Sequence, residues 1–157
     1  MFEKTLHATH PDMMDGAANE QLRSRHVIAG MFAPNEVRLT YSHNERFIIG
    51  GAAPVNTAIA LPHQTEPASA AGAPFLSRRE LGVVNVGEGA GTVTVDGVRH
   101  DLSPRDCLYV PMGSAEVTFT SWDAAAPAKF YLISTPAHAR FEARKISVAE
   151  ANPLARG

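Results

Sequence analysis

Residues 75–97, FLSRRELGVVNVGEGAGTVTVDG, decide the fold. In the second half of this stretch, Gly87, Gly89 and Gly91 permit tight backbone geometry, and an alternating TVTV run ends in Asp96-Gly97, a strong two-residue hairpin signal. The local prediction is strand, turn, strand. On either side the chain is built from short apolar or alternating runs separated by Pro, Gly and Asn: VIAGMF (27–32), VRLTYS (37–42), RFIIGG (46–51), NTAIAL (56–61), CLYV (107–110), EVTFTSW (116–122), AKFYLIS (128–134) and FEARKIS (141–147). Regularly spaced strands of this kind predict an all-β protein, an antiparallel β-sandwich or barrel. Residues 62–74 (PHQTEPASAAGAP) and 123–128 (DAAAPA) lack periodicity and are expected to be loops. Residues 1–24 form a polar N-terminal arm with a short helical segment around 17–25; one barrel is expected over 25–153, with a tail at 154–157.

A length of 157 residues suits one domain. With 14 Lys and Arg against 16 Asp and Glu, the formal charge is −2 and no basic run follows a phosphate backbone, which argues against a nucleic-acid partner. A single cysteine, Cys107, rules out an internal disulfide; together with an N-terminus that lacks a signal-like apolar core, it points to the cytoplasm. No apolar run approaches the roughly 18 residues of a membrane span. Cys107 lies in CLYV beside no activating base and is expected to be a buried structural thiol. Neither a G-x-S-x-G elbow nor a P-loop occurs, which disfavours a serine hydrolase and an NTPase.

RDCLYVPMGSAE (105–116) resembles the second cupin motif, G-x5-P-x-G-x2-H, with Pro111 and Gly113 in place, Arg105 at its first glycine and Glu116 at its metal-binding histidine. The first motif, G-x5-H-x-H-x3,4-E-x6-G, keeps Glu80 and Gly87, while its histidine places fall within Ala73, Pro74, Phe75 and Leu76. The resemblance implies a cupin-like jelly-roll barrel that has lost its imidazole ligands. Two carboxylates alone suit transition metals poorly, so no metal is expected here. If Glu80 keeps the family's inward orientation, Arg78 points inward with it, and an Arg78–Glu80–Glu116 cluster replaces the metal; alternatively Arg78 and Arg79 lie in solvent at a strand entrance. Leu81, Val83, Val117 and Phe119 would then face outward, implying a covered sheet whose partner is another subunit, as in a homo-oligomer, or a second barrel.

Longer stretches carry a closer resemblance: YSHNERFIIGGAAPV (41–55), FLSRRELGVVNVGEGAGTVTVDG (75–97), RDCLYVPMGSAEVTF (105–119) and PAKFYLISTPAH (127–138). Together they are similar to the N-terminal half of the 5-keto-4-deoxyuronate isomerase family, over about Leu22 to Pro153. That resemblance implies sugar-acid ketol-isomerisation in pectin breakdown, from 5-keto-4-deoxyuronate to 3-deoxy-glycero-2,5-hexodiulosonate. It also implies zinc held by three histidines and a glutamate in a second cupin-like half, which these residues do not contain.

Within YSHNER, His43 suits proton transfer and Arg46 suits a carboxylate, so both are candidates for a small-molecule site; strand-end packing or an intersubunit contact is the plainer alternative. Arg78 is a further substrate-binding candidate, and Glu80, Glu116 and His43 are the catalytic ones. His7 and His10 form H-x-x-H, but nothing completes a ligand set, so solvated tail histidines are expected. His138, Arg140, Arg144 and Lys145 are expected on an exposed strand with an acidic partner nearby. Three functional classes stay open: scaffold and oligomer interface for isomerase chemistry housed elsewhere, a stand-alone module binding a small sugar acid, and a metal-free isomerase.

Overall fold

The computed structural model describes residues 1–152 and residue 154; of the expected tail, residues 155–157 lie outside the described residues, as does Pro153 at the end of the barrel. In chain order the strands are β1 (Lys4–Leu6), β2 (Val37–Ser42), β3 (Ile48–Ala52), β4 (Ile59–Ala60), β5 (Arg79–Asn85), β6 (Gly91–Val95), β7 (Val98–Leu102), β8 (Cys107–Val110), β9 (Val117–Ser121), β10 (Phe130–Pro136) and β11 (Arg144–Ile146), with one helix, α1 (Asn19–His26), between β1 and β2. A seven-stranded sheet in the order β1-β2-β3-β10-β5-β8-β11 packs on a four-stranded sheet in the order β4-β9-β6-β7. Every neighbouring pair is antiparallel except β1–β2. The result is the cupin-like jelly-roll sandwich.

The core is made where alternating side chains of the two sheets meet. Phe119 on β9 and Phe130 on β10, both 0% exposed, bridge the sheets with ring centroids 5.5 Å apart. Each such side chain contributes about 1.5–3 kcal/mol by leaving water. Around them lie Leu39, Leu81, Val83, Val93, Leu102, Leu108, Val110 and Leu132. The predicted hairpin is present as β6–β7, closed at Val95↔Val98 across Asp96-Gly97.

Three expectations are corrected. Leu81, Val83, Val117 and Phe119 are core residues, exposed by 1%, 0%, 4% and 0%, rather than an outward apolar layer. The inward orientation borrowed for Glu80 inverted the register, and with period-two alternation a single wrong residue flips the whole strand. The arm is also more than an arm, because Lys4–Leu6 adds a parallel strand to β2 and Leu6 is buried. Finally, VIAGMF is not a strand: a Cβ on Gly51 would fall 2.6 Å from the Met31 carbonyl oxygen and the Phe32 ring, so this segment crosses β3 at close range as a cover.

The cupin-motif turns keep their backbone role. Arg105, at the motif's first glycine, adopts φ 73°, the left-handed geometry that glycine usually supplies, and Gly113 sits at φ 83° with its N–H donated to the Leu76 carbonyl at 2.7 Å. Beside Arg105 is a satisfied polar corner. Asn85, 0% exposed, donates through Nδ2 to the carbonyls of Gly89 (2.9 Å) and Leu102 (3.1 Å) and accepts from Gly87 N (3.0 Å). Asp106 accepts from Ser103 N and Val148 N and pairs with Lys145 Nζ at 3.0 Å. Lys145 and Arg144 lie on exposed β11, so the strand expected to find an acidic partner finds Asp106; His138 and Arg140 precede that strand.

Candidate functional site

The β2–β3 connection, His43-Asn44-Glu45-Arg46, is closed by Ser42 N donating to the Phe47 carbonyl at 2.7 Å. Glu45 and Arg46 both adopt left-handed backbone, at φ 57° and 55°. For residues with a side chain this geometry costs on the order of 1 kcal/mol each. The turn places Arg46 on the wall of a cleft of ≈ 300 Å³ that also receives Arg78, Arg79, Tyr41, Gln64 and Glu66.

Arg79 holds the wall together. Its guanidinium donates to Ser134 Oγ (3.1 Å), the Ser134 carbonyl (2.9 Å) and the Arg46 carbonyl (2.7 Å), tying the strained turn to β10. Burial lowers its pKa from the ordinary arginine value; Tyr41 opposes that shift and Arg46 adds to it. Arginine's intrinsic value is high enough that the group keeps its charge. The 62–74 loop contributes Gln64, Glu66 and Pro67 to the lining; it is closed by Gly72 N to Gln64 O (2.9 Å) and Gln64 N to Ala73 O (2.9 Å), while the Gln64 amide donates to the Pro74 and Phe75 carbonyls and to Ser77 Oγ.

Adjoining it through Phe2, Tyr41, Glu66 and Pro67 is a second recess of ≈ 330 Å³ that contains His43. His43 stacks on His7 with ring centroids 4.9 Å apart and meets Tyr41 edge-on at 5.0 Å, and Tyr41 in turn contacts Phe2 at 5.5 Å. His7 is therefore a packing partner of His43, whereas His10 pairs with Asp12 at 3.4 Å. The structure thus brings Arg46, Arg78 and His43 together at one end of the sandwich.

It does not bring the two glutamates there. Glu80 lies on the β5 face opposite Leu81 and Val83, where Tyr109 Oη donates to its Oε2 at 2.9 Å. Burial first, and this bond second, push the Tyr109 pKa up to about 12. Glu116 is exposed before β9, in the other sheet, with its backbone N–H on Asp96 Oδ1 at 2.9 Å. Arg78 forms no ion pair with either acid among the described residues. The Arg78–Glu80–Glu116 cluster is thereby corrected: β5 turns its apolar side to the core, which carries Glu80 to the opposite face.

No group of three or more His, Cys, Asp or Glu side chains that could hold a metal occurs among the described residues. The two cupin-motif positions that hold a carboxylate lie apart, Glu80 on β5 and Glu116 just before β9, and the motif's histidine places hold apolar residues. Cys107 is half-buried on β8 rather than enclosed. Of the pair expected in solvent at a strand entrance, Arg78 is exposed, whereas Arg79 is half-buried and bonded to Ser134 and Arg46; nothing in the sequence marks Gln64 or Glu66 for the cleft.

No helix among the described residues is long and apolar enough to cross a membrane. The chain is 41% identical over 143 residues to the 4-deoxy-L-threo-5-hexosulose-uronate ketol-isomerase of Levilactobacillus brevis, covering 91% of this chain and 50% of that protein. It is 40% identical to proteins of the same name from Formosa agariphila and Yersinia pestis, in both cases over 98% of this chain and 54% of the relative. The chain spans about half the length of these curated relatives. Among solved structures, a Cupin 2 conserved barrel domain protein from Salinispora arenicola aligns with a TM-score of 0.45 at 17% identity, covering 69% of this chain and 83% of that one. The KduI/IolB family profile matches residues 28–157, and the chain belongs to the KduI/IolB family.

Proposed function

We propose that this chain serves as the N-terminal barrel of a sugar-acid ketol-isomerase acting on 5-keto-4-deoxyuronate, and that it supports the reaction as scaffold and assembly surface while the proton transfer takes place elsewhere. The observation that carries this is the 40–41% identity along nearly the whole chain to proteins named for that isomerase, of which it covers 50–54%. Ketol-isomerisation needs a base within hydrogen-bond reach of the migrating proton and an electrophile for the enediolate. Glu80, engaged by Tyr109, and solvent-facing Glu116 lie on separate sheets and are poorly placed to share one substrate. Copies would associate through the half-buried outer face of the large sheet, which carries Val84, Tyr109, Tyr131 and Ile133.

The test is an isomerase assay on the 157-residue chain, alone and with the second half of a curated relative supplied in trans, alongside zinc analysis and light scattering. The expected outcome is no turnover alone, turnover in the mixture and zinc confined to the added half. Turnover by the chain alone that disappears in Glu80→Gln or Glu116→Gln would establish the metal-free isomerase instead.

A further inference from the structure

We infer that the cleft formed by Arg46, Arg78 and Arg79 is a binding site for the carboxylate of a sugar acid, separate from any site of isomerisation. The ligand class rests on the isomerase reading above; the location rests on this cleft alone. Three arginines line a recess whose lining holds one carboxylate, Glu66. Among the described residues the side chains of Arg46 and Arg78 form no ion pair or hydrogen bond, although exposed arginines readily find acidic or carbonyl partners. Their forks are free to accept a bidentate carboxylate, the geometry arginine matches best.

The wall is built to hold them. Consecutive left-handed residues at 45 and 46 are an unfavourable way to turn a chain, and the Arg79 bond to the Arg46 carbonyl secures that turn. Backbone strain that neighbouring structure enforces is found preferentially at ligand sites. Arg79 is accordingly a positioning residue: its Nε and Nη2 donate to Ser134 and Arg46, and it holds the Arg46 backbone in place while adding positive potential. Tyr41, Phe75 and Pro67 supply apolar surface for the C–H face of a pyranose ring, and Glu66 supplies a polar group for its hydroxyls. At ≈ 300 Å³ the cleft lies at the small end of ligand sites, which run from about 300 to 1,000 Å³, and so suits a single sugar unit.

The experiment is calorimetric titration of the full chain at fixed ionic strength with D-galacturonate, D-galactose, acetate and inorganic phosphate. Galacturonate is expected to bind, galactose at least 10-fold more weakly, and acetate and phosphate no better than galactose. Arg46→Gln and Arg78→Gln should each weaken galacturonate binding about 10-fold or more at unchanged melting temperature, with Arg46→Lys recovering part of the loss. Arg79→Gln should weaken binding and also lower the melting temperature, which a direct ligand contact at the surface would not do. Equal binding of galactose, phosphate as tight as galacturonate, or full affinity in the Arg46→Gln, Arg78→Gln double variant would each overturn the assignment. Because no turnover is read, binding that persists when the mixing assay fails removes the isomerase proposal and leaves this one, and the converse result does the reverse.

Discussion

Two charged regions of the sandwich are built on opposite plans. At the Asn85–Asp106 corner every polar group is met: Asn85 makes three hydrogen bonds, and Asp106 takes two backbone N–H groups and an ammonium. At the Arg46–Arg78–Arg79 cleft the backbone is tied down while two of the three guanidinium groups have no partner among the described residues. A polar cluster that closes on itself stabilises a fold, and one that leaves charge facing a recess is available to a ligand. Substitutions should therefore be felt as stability in the first region and as affinity in the second.

The sharpest way to break this contrast is Asn85→Ala, which takes the partner from the buried Leu102 carbonyl and from the half-buried Gly89 carbonyl and Gly87 N–H. Removing one partner from buried hydrogen bonds costs about 1–3 kcal/mol per group left unmet. A loss of about 3 kcal/mol in urea denaturation is expected, and a loss below about 1 kcal/mol would mean that water satisfies the corner.

Asp106→Asn should cost about 1–3 kcal/mol at neutral pH and also change the acid limb of the stability curve. Burial pushes this carboxyl up, but hydrogen bonds from Lys145, Val148 and Ser103 outweigh it and hold the pKa below its ordinary value. A depressed folded pKa means that the contribution is present above the unfolded value of about 3.9 and disappears as pH falls through the lower folded value. Chemical denaturation between pH 6 and 2 should show that loss in the parent chain and not in the variant.

Smaller effects are expected at Tyr109. With its pKa raised to about 12, the phenol should resist ultraviolet titration until well past the ordinary value of 10.0, and Glu80→Gln should bring the midpoint down. The raised value implies stabilisation that is complete below pH 10 and lost as pH climbs toward 12. An unshifted midpoint in the parent chain would mean that Tyr109 is neither shielded from water nor bonded to Glu80.

The smallest stability effects belong to the cleft, where Arg46→Gln and Arg78→Gln should each change the unfolding free energy by no more than about 0.5 kcal/mol. A larger loss in thermal melts would mean that these arginines are structural and that the two regions are alike after all.

Much of the fold was legible because short range decides it: Asp96-Gly97 makes the hairpin, and the alternation in TVTV, CLYV and VTFT marks strands whatever their partners. Which face of β5 looks inward was not legible. LGVVN carries apolar groups on both sides, so the choice between Glu80 and Leu81 is made by the opposing sheet, through contacts such as Phe119 with Phe130. The site was half legible for a related reason. Arg46 and Arg78 stand out as residue types, but 32 positions of chain separate them, and the cleft exists only because β10 lies between β3 and β5 and brings their ends together. Arg79 reads as a second copy of Arg78 until its bonds to Ser134 show that it serves the wall instead.

The outermost strands have a consequence for self-association. Each sheet border ends in a poor template for another chain: β1 has three residues and carries Lys4, β11 has three and carries Arg144 and Lys145, β4 has two, and β7 presents Arg99 and Asp101. Short, charged borders discourage the strand-by-strand annealing that leads to fibrils and precipitates. Such borders disfavour backbone pairing between copies, so that a contact between copies would have to be selected by side-chain shape on the broad sheet surfaces.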